Sequence, residues 1–585
     1  MKYPIVSAPK SERNMIDTFR GYNHNLRIGD GEFFDMKNLT SDYYPVLSPR
    51  KTRGIYVSGQ TPQGMVAKDS LCYVEGTDFV MNEYHVDLGL STAAKDCPKQ
   101  LISMGAYVVI MPDKMWINTL DLTDYGKIEA SFTTSADVTF ELCTVDGAAY
   151  ENTFVSATEP ENPENSALWI DTSTTPHALK QYSATSAIWV TIATTYVKIV
   201  SAGIGVAFEQ YDGVTISGIL KDNLQDLNAT STIWAKDDNY IVVVGMLDVI
   251  TTQTADEGAI TITRKMPNMD YITESNNRLW GCRYGVAANG EVVNEIYACK
   301  LGDFKNWNCF MGASTDSWVA SVGTDGQWTG AATLSGYPVF FKETCLHKVY
   351  ISSVGAHQIQ DTACRGVQKG CQNSLAIVNE TLFYKSRNGI CSYDGSLPVE
   401  ASYALGVDSY TEAVAGAHGN KYYVSMKDAD GAWTLFVYDM AKGLWHKEDD
   451  FHAASFCSCR GELYAIDADS NNIVTMLGSG TAMDEELEWM AETGELALSS
   501  PDMKYVSRLT VRMSMEIGAE VTFYIQYDME DSWEKLFTVP YSNLRSFSIP
   551  IRARRCDHMK LKLVGHGMAK IYSITKTIEQ GSDIS

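Results

Sequence analysis

The stretch GNKYYVSMKDADGAWTLFVYDMAKGLWHKED (419–449) decides the fold. A Gly-Asn turn leads into a β-branched and aromatic strand, and Asp428-Ala-Asp-Gly431 turns the chain back. A second strand follows, and a closing turn runs from Asp439 to Trp445. Asp-Gly and Gly-Asn tolerate the positive φ that tight hairpin turns demand. The same grammar governs NNRLWGCRYGVAANGEVVNEIYACKLGDFKNW (276–307), ETLFYKSRNGICSYDGS (380–396) and RGELYAIDADSNNIVTML (460–477). Hairpin units of about 40–50 residues, each marked by an aromatic, are the signature of propeller blades.

Working outward, GMVAKDSLCYVEGTDFVMNEYHVDLG (64–89) and QLISMGAYVVIMPDKMWINTLDL (100–122) read as the first two blades, within 61–126. Residues 127–268 break the rhythm. They are rich in Thr and Ser, hold the exposed loop EPENPEN (159–165) and then the strand-like LWIDTS, AIWVTIATTYVKI and GVTISGI. This predicts a β-rich domain inserted into a blade connection, where insertions are tolerated. The remaining blades fill 269–480, for six to eight in all. MDEELEWMAETGEL (483–496) has five acidic residues before Gly494, so 481–494 reads as an acidic linker or a charge-guarded edge strand. In 495–585, YVSRLTVRMSM, AEVTFYIQYD, SFSIPIRAR and HMKLKLVG alternate apolar and polar residues, which predicts a C-terminal β-sandwich. Residues 1–60, broken by Gly and Pro, read as an extended N-terminal arm. The expected class is all-β and multidomain: a β-propeller with an inserted β-rich domain and a C-terminal sandwich.

At 585 residues the chain exceeds one ordinary core. Its net charge of −25 argues against nucleic-acid binding of the usual kind. The charge is uneven. Residues 495–585 hold 11 acidic and 12 basic side chains, whereas 128–266 hold 18 and 6. Thirteen cysteines without a CxxC pair, and an opening MKYPIVSAPKSERN without an apolar core, predict synthesis in a reducing cytoplasm with thiols as small buried hydrophobes. The most apolar run, YIVVVGMLDVI (240–250), is too short to span a bilayer, so no stable membrane insertion is expected.

No constellation carries catalysis. An EF-hand loop starting at Asp467 would need Gly at its sixth position and Glu at its twelfth; Asn472 and Gly478 stand there, so DADSNN reads as turn chemistry. Neither HExxH nor a paired Cys/His spacing occurs among the ten histidines, and His446 beside Trp445 is expected to pack on its neighbours. GxxxxGK[ST] is absent, and no GxGxxG joins a strand to a helix. Arg552, Arg554 and Arg555 are the densest basic cluster; on a strand, Arg552 and Arg554 would share a face, either solvated or docking an anion. Trp280, Trp307, Trp328, Trp433 and Trp445 recur at blade ends, where packing between blades outweighs sugar stacking. We therefore expect no catalytic residue, metal or cofactor.

NNRLWGCRYG, NEIYACKLGDFKNW, GYPVFFKETCLHKVY, NGICSYDGS and LFVYDMAKGLWHKED resemble segments of tail-associated structural proteins of tailed bacteriophages. The opening GEFFDMKNLTSDYYPVLSPRKTRG, with its Leu-x-Pro-Arg stretch, looks like the start of such proteins. The resemblance covers most of 1–480 and the sandwich ending in IYSITKTIEQGS; its motifs are structural. The architectural parallel is the tail nozzle of short-tailed phages, where a propeller with inserted β-domains forms a ring, commonly a hexamer, at the end of the tail channel. The resemblance implies a virion tail protein, made in the host bacterial cytoplasm, whose partners are copies of itself and other tail or connector proteins. It implies a structural protein rather than an enzyme, past which DNA moves without specific binding. An acidic wall would repel phosphates and suit that passage. The alternative is a receptor- or glycan-binding tail protein contacting the host surface, which an exposed aromatic cleft would favour. A propeller glycosidase comes third and would need a paired-carboxylate pocket.

Overall fold

The structure, a computed structural model, describes residues 11–58, 61–92, 99–151, 153–287, 290–483, 487–496, 503–528, 530–540 and 543–580. It is all-β. The helices among the described residues are three short 3-10 turns, Asp222–Leu227, Gln372–Ser374 and Tyr403–Leu405. The chain divides into two compact units. One holds the described residues of Met1–Gln100, Phe341–Leu346 and Asp361–Ser585; the other holds Leu101–Phe340 and His347–Gln360.

Among the described residues, seven units follow the blade pattern: five four-stranded sheets at 62–87, 100–127, 271–321, 330–363 and 376–400, the four strands of 410–447 at one end of a larger sheet, and 453–475 within a five-stranded sheet. The last has three strands of its own and takes its fourth, Gly54–Val57, from the arm. Inner blade strands read as unbroken apolar runs because both their faces are covered. In Thr381–Ser386, five consecutive residues are buried. Outer strands such as Asp121–Lys127 alternate between exposed and half-buried residues.

In the first unit, Tyr423, Leu435 and Val437 of the 410–447 blade pack on Leu463, Ala465 and Val474 of the next. Ile466 and Ile473 in turn pack on Met65, Tyr73 and Val80 of the 62–87 blade. Each fully buried large apolar side chain contributes roughly 1.5–3 kcal/mol.

The arm is woven into this unit rather than set apart as a domain. Ser11–Ile16 pairs antiparallel with Ala569–Gln580. Gly21–Tyr22 lies between Leu444–Lys447 and Glu32–Lys37, and Glu32–Lys37 pairs with Glu488–Thr493. One ten-stranded sheet therefore runs from the 410–447 blade through the arm into the sandwich. The linker expected at 481–494 is corrected accordingly. Glu488–Thr493 is an interior strand between Glu32–Lys37 and Met559–His566; Trp489, Ala491 and Thr493 are buried, and the acids Glu488 and Glu492 share the other face. The period-2 alternation in Glu-Trp-Met-Ala-Glu-Thr is a strand signal that the acidity masks. Residues 484–486 lie outside the described residues, as do 1–10.

The sandwich pairs the sheet holding Lys504–Met515 and Ala569–Gln580 with the one holding Glu520–Tyr527 and Met559–His566. The strand expected through SFSIPIRAR stops at Ile549, because Pro550 has no N–H to continue a ladder.

In the second unit, Met111, Trp116, Leu279 and Trp307 join the 100–127 and 271–321 blades. Trp280, Trp328 and Phe340 join the latter to the 330–363 blade. The inserted domain leaves and returns on neighbouring strands, Ala130–Thr133 and Thr261–Arg264. Its two main sheets close on Phe140, Val197, Ile199, Ile241 and Ile262. A third, smaller sheet spans 153–191. It departs after Cys143 and rejoins at Tyr196, two residues that face each other in register.

Candidate functional site

The Leu-x-Pro-Arg stretch of the arm becomes a lock. The backbone of Leu47 exchanges two hydrogen bonds with Ile571 of the sandwich, at 3.1 and 2.9 Å. Beyond it, Arg50 Nε donates to Asn38 Oδ1 at 2.8 Å, and Arg50 Nη2 reaches Asp449 at 3.2 Å. Arg53 is the centre. Its Nη1 donates to Asp449 Oδ2 at 2.7 Å, and its Nη2 donates to Glu448 Oε2 and Asp449 Oδ1, both at 2.8 Å. The guanidinium also lies 4.6 Å from the ring centroid of Phe451. Burial pushes the Asp449 carboxyl up, but the Arg53 charge and hydrogen bonds outweigh it and hold it below the usual range. The fork of Arg suits this task, since it satisfies two carboxylates at once.

Beside the lock lies a polar cavity of about 390 Å³, lined in part by Thr40, Asp42, Lys421, Asp439 and Lys442. Its charges answer one another. Lys421 pairs with Asp42 at 2.6 Å and Lys442 with Asp439 at 3.0 Å, while Ser41 Oγ donates to Asp439 at 2.5 Å. Burial alone would raise Asp439; the Ser41 hydrogen bond and Lys442 leave it lowered. This is the chemistry of a fastened joint, in which Asp42 and Asp439 are each engaged by a lysine.

The inserted domain is docked by a second joint. Fully buried Asn306, in the closing turn from Asp303 to Trp307, accepts from Gly213 N at 3.1 Å and donates to Tyr211 O at 2.6 Å. A Cβ on Gly213 would lie 2.1 Å from the Asn308 carbonyl oxygen, so only glycine allows this approach. Asp212 and Arg264 form a buried ion pair at the same place. Ile128 and Met266, the roots of the insertion, belong to the core that joins the two blades. On the small sheet, Trp169 and Trp189 meet edge-on at 5.4 Å and Tyr182 leans on Trp189 at 5.2 Å, while Lys180 covers Trp169 at 4.8 Å. The rings therefore pack on each other and leave Phe154 as the exposed ring of that group.

The residues singled out from the sequence have plain roles. Trp280, Trp307, Trp328 and Trp445 are buried, and Trp433 stacks on His452 at 4.0 Å. His446 is buried, and burial, followed by the nearby Lys421 charge, pushes its pKa down to about 3. Asp467 Oδ1 accepts from the backbone N–H of Asp469 at 3.0 Å, as a turn-forming Asp does. Arg552, Arg554 and Arg555 lie in coil after the strand has ended, so they share no sheet face. Arg554 instead pairs with Glu530. Of the cysteines, ten described ones are buried and two are half-buried, none in a disulfide. Burial pushes the Cys72 thiol up to about 12, which keeps it inert. Among the described residues, no three His, Cys, Asp or Glu converge as a metal set. The Arg53 lock and Asn306 are absent from the sequence reading. Two arginines three apart and the Lys-Glu-Asp ending of a blade are their signal, but their pairing across some 395 residues is not written locally.

No family model matches the chain, and no curated protein matches it. Solved structures do resemble it. BamB from Moraxella catarrhalis is 10% identical, covering 75% of this chain and 97% of its own, with a TM-score of 0.27. AztD from Citrobacter koseri, in its apo form, is 11% identical, covering 78% and 98%, with a TM-score of 0.26. The endosialidase of phage phi92 is 9% identical, covering 76% and 68%, with a TM-score of 0.22. At such scores none of these likenesses carries an argument, and the fold assignment rests on the sheets themselves.

Proposed function

We propose that this chain is a structural component of a phage virion, part of the tail nozzle or hub through which DNA leaves, and that it acts by assembling into a ring with itself and adjoining tail or connector proteins. One observation carries the reading. Three of the segments that resemble tail proteins fasten distant parts of the chain: the 47–53 lock, the 303–307 docking turn and the 439–449 closing turn. Their motif residues hold strands and carboxylates together and leave no nucleophile or acid–base pair poised for chemistry. Such a chain suits assembly better than turnover. The net charge of −25 fits a surface past which phosphates move without pausing, since a like-charged wall offers no counterion release.

Imaging of purified phage particles, with native mass spectrometry of the isolated protein, tests the reading. The expected result is a ring of this chain within the tail. Absence of the chain from particles, or vigorous hydrolysis of host polysaccharide by the purified protein, would overturn it.

A further inference from the structure

We propose that the small sheet of the inserted domain is where one copy of the chain meets the next: the outer edge of Ile188–Thr191 in one copy receives the outer edge of Thr153–Ser156 of its neighbour. The inference rests on the ring reading above and names the surface that would make the ring.

The sheet runs in the order Thr153–Ser156, Leu168–Asp171, Ala178–Ser183, Ile188–Thr191. Its two outer strands have four residues each, and among the described residues no strand pairs with their outer sides. Proteins normally guard such edges with charges or proline. Thr-Phe-Val-Ser and Ile-Trp-Val-Thr have neither. Apolar side chains stand open on both: Phe154 and Val155 are 48% and 52% exposed, Ile188 and Val190 54% and 49%.

Charge selects the occupant. Two copies at −25 each repel, so they can only meet on neutral ground. Residues 181–197 contain no Asp, Glu, Lys or Arg, inside a stretch, 128–266, with 18 acids against 6 bases. A basic partner would be drawn to the acidic remainder and leave these edges unused.

Direction selects the symmetry. Thr153–Ser156 runs parallel to Leu168–Asp171, and the next two pairings are antiparallel. Both edge strands therefore point the same way. Rotation about an axis alongside them brings one edge to the opposite edge of the next copy, a heterologous contact that closes into a ring. The faces match as well. Register and alternation place Phe154 and Trp189 on one face, and Val155, Ile188 and Val190 on the other. Joining the edges sets aromatic beside aromatic and β-branched beside β-branched, the favoured cross-strand pairs.

Single-site thiol cross-linking tests the contact. Val155→Cys and Val190→Cys are made in separate full-length chains and oxidised with copper-phenanthroline, with the wild type controlling for native cysteines. Disulfide-linked dimers are expected only when the two variants are mixed, and a ladder is expected from the double variant. Separately, Ile188→Lys with Val190→Lys should raise the concentration for half-assembly by about tenfold or more, with unchanged circular dichroism. Cross-linking within one single-variant sample would indicate a two-fold contact and overturn the proposal. Rings that form without any of these links would also overturn it, while leaving the ring reading standing. A chain monomeric at every concentration and absent from rings in particles would remove both.

Discussion

Replacing Arg53 with Ala should release the arm strand Gly54–Val57 from the blade it completes. The magnitude follows from the lock. The substitution removes three charge-assisted hydrogen bonds of 2.7–2.8 Å and leaves Glu448 and Asp449, 7% and 14% exposed, short of a cation. Breaking a buried pair from one side costs about 3–5 kcal/mol. Arg50 stays within 3.2 Å of Asp449 and 3.6 Å of Glu448, which places the loss near the lower end, about 3 kcal/mol. Hydrogen exchange reads this locally. Amides of the 54–57 strand and of its partner Ile473–Thr475 should lose about a hundredfold in protection, while the 376–400 blade keeps its own. Arg53→Lys keeps the charge but loses the fork and should fall between the two. The pH dependence has a fixed sign. Asp449 titrates below its ordinary value in the fold, so its contribution is present above the unfolded carboxylate pKa and lost as pH falls through the depressed one. Wild type should therefore approach the variant in acid. Unchanged protection in Arg53→Ala at neutral pH, or an equal loss in every blade, would refute the reasoning.

Deleting 130–264 and bridging Glu129 to Lys265 with a short Gly/Ser linker should leave a folded chain by circular dichroism and thermal melting. The same deletion with Ile128→Ala and Met266→Ala should lose about 2–5 kcal/mol per site, because both side chains belong to the blade core. Gly213→Ala should undock the inserted domain, seen as new protease cleavage near 210–215, since its Cβ would strike the Asn308 carbonyl at 2.1 Å. His446, held down at about 3 from 6.5, should make stability fall by up to about 1.4 kcal/mol per pH unit below pH 6.5, because the unfolded chain takes up a proton that the fold refuses. Between pH 4 and 6.5, denaturant titrations of His446→Gln should lack that slope.

The blade repeat was legible because it is local: turn chemistry, strand alternation and a closing aromatic all lie within one unit. Among the described residues, seven such units fall inside the expected six to eight, and the insertion was legible as a break in their rhythm. What escaped were pairings between distant segments. Nothing near Glu488–Thr493 says that residues 32–37 lie beside it, so its acids outweighed its alternation. Likewise, Arg552 to Arg555 read as a basic strand face until Pro550 is weighed as a stop. The sites were the least legible part, because a lock between Arg53 and residues 448–449 depends on the whole first unit having closed.

The same closure changes what the uneven charge means. By sequence, a near-neutral 495–585 beside an acidic remainder reads as a surface with a direction. Within the first unit, part of that contrast is pairing along the seam between arm and sandwich. Lys576 reaches Asp30 at 2.9 Å, Lys562 reaches Glu492 at 3.5 Å, and Lys37 reaches Glu488 at 3.5 Å. Lys560 lies over the ring of Phe34 at 5.4 Å. The lysines of the sandwich therefore answer acids carried by the arm and by the strand that precedes the sandwich. Exposed pairs of this kind contribute little stability each, about 0–1 kcal/mol. Lys576 is different, because it is 2% exposed and cannot be left without its carboxylate. Its pairing ties the arm loop at Asp30 to the last strand, whose ladder with Ser11–Ile16 already fixes the register. The inserted domain has pairs of its own, Arg264 with Asp212, Lys180 with Asp171 at 2.7 Å and Lys221 with Glu257 at 2.6 Å, but with 18 acids and 6 bases over 128–266 its acids outnumber its bases three to one. The negative excess of the chain therefore sits almost equally in 128–266, with 18 acids against 6 bases, and in 267–494, with 28 against 15, while arm acids such as Asp30 are already committed to holding the fold.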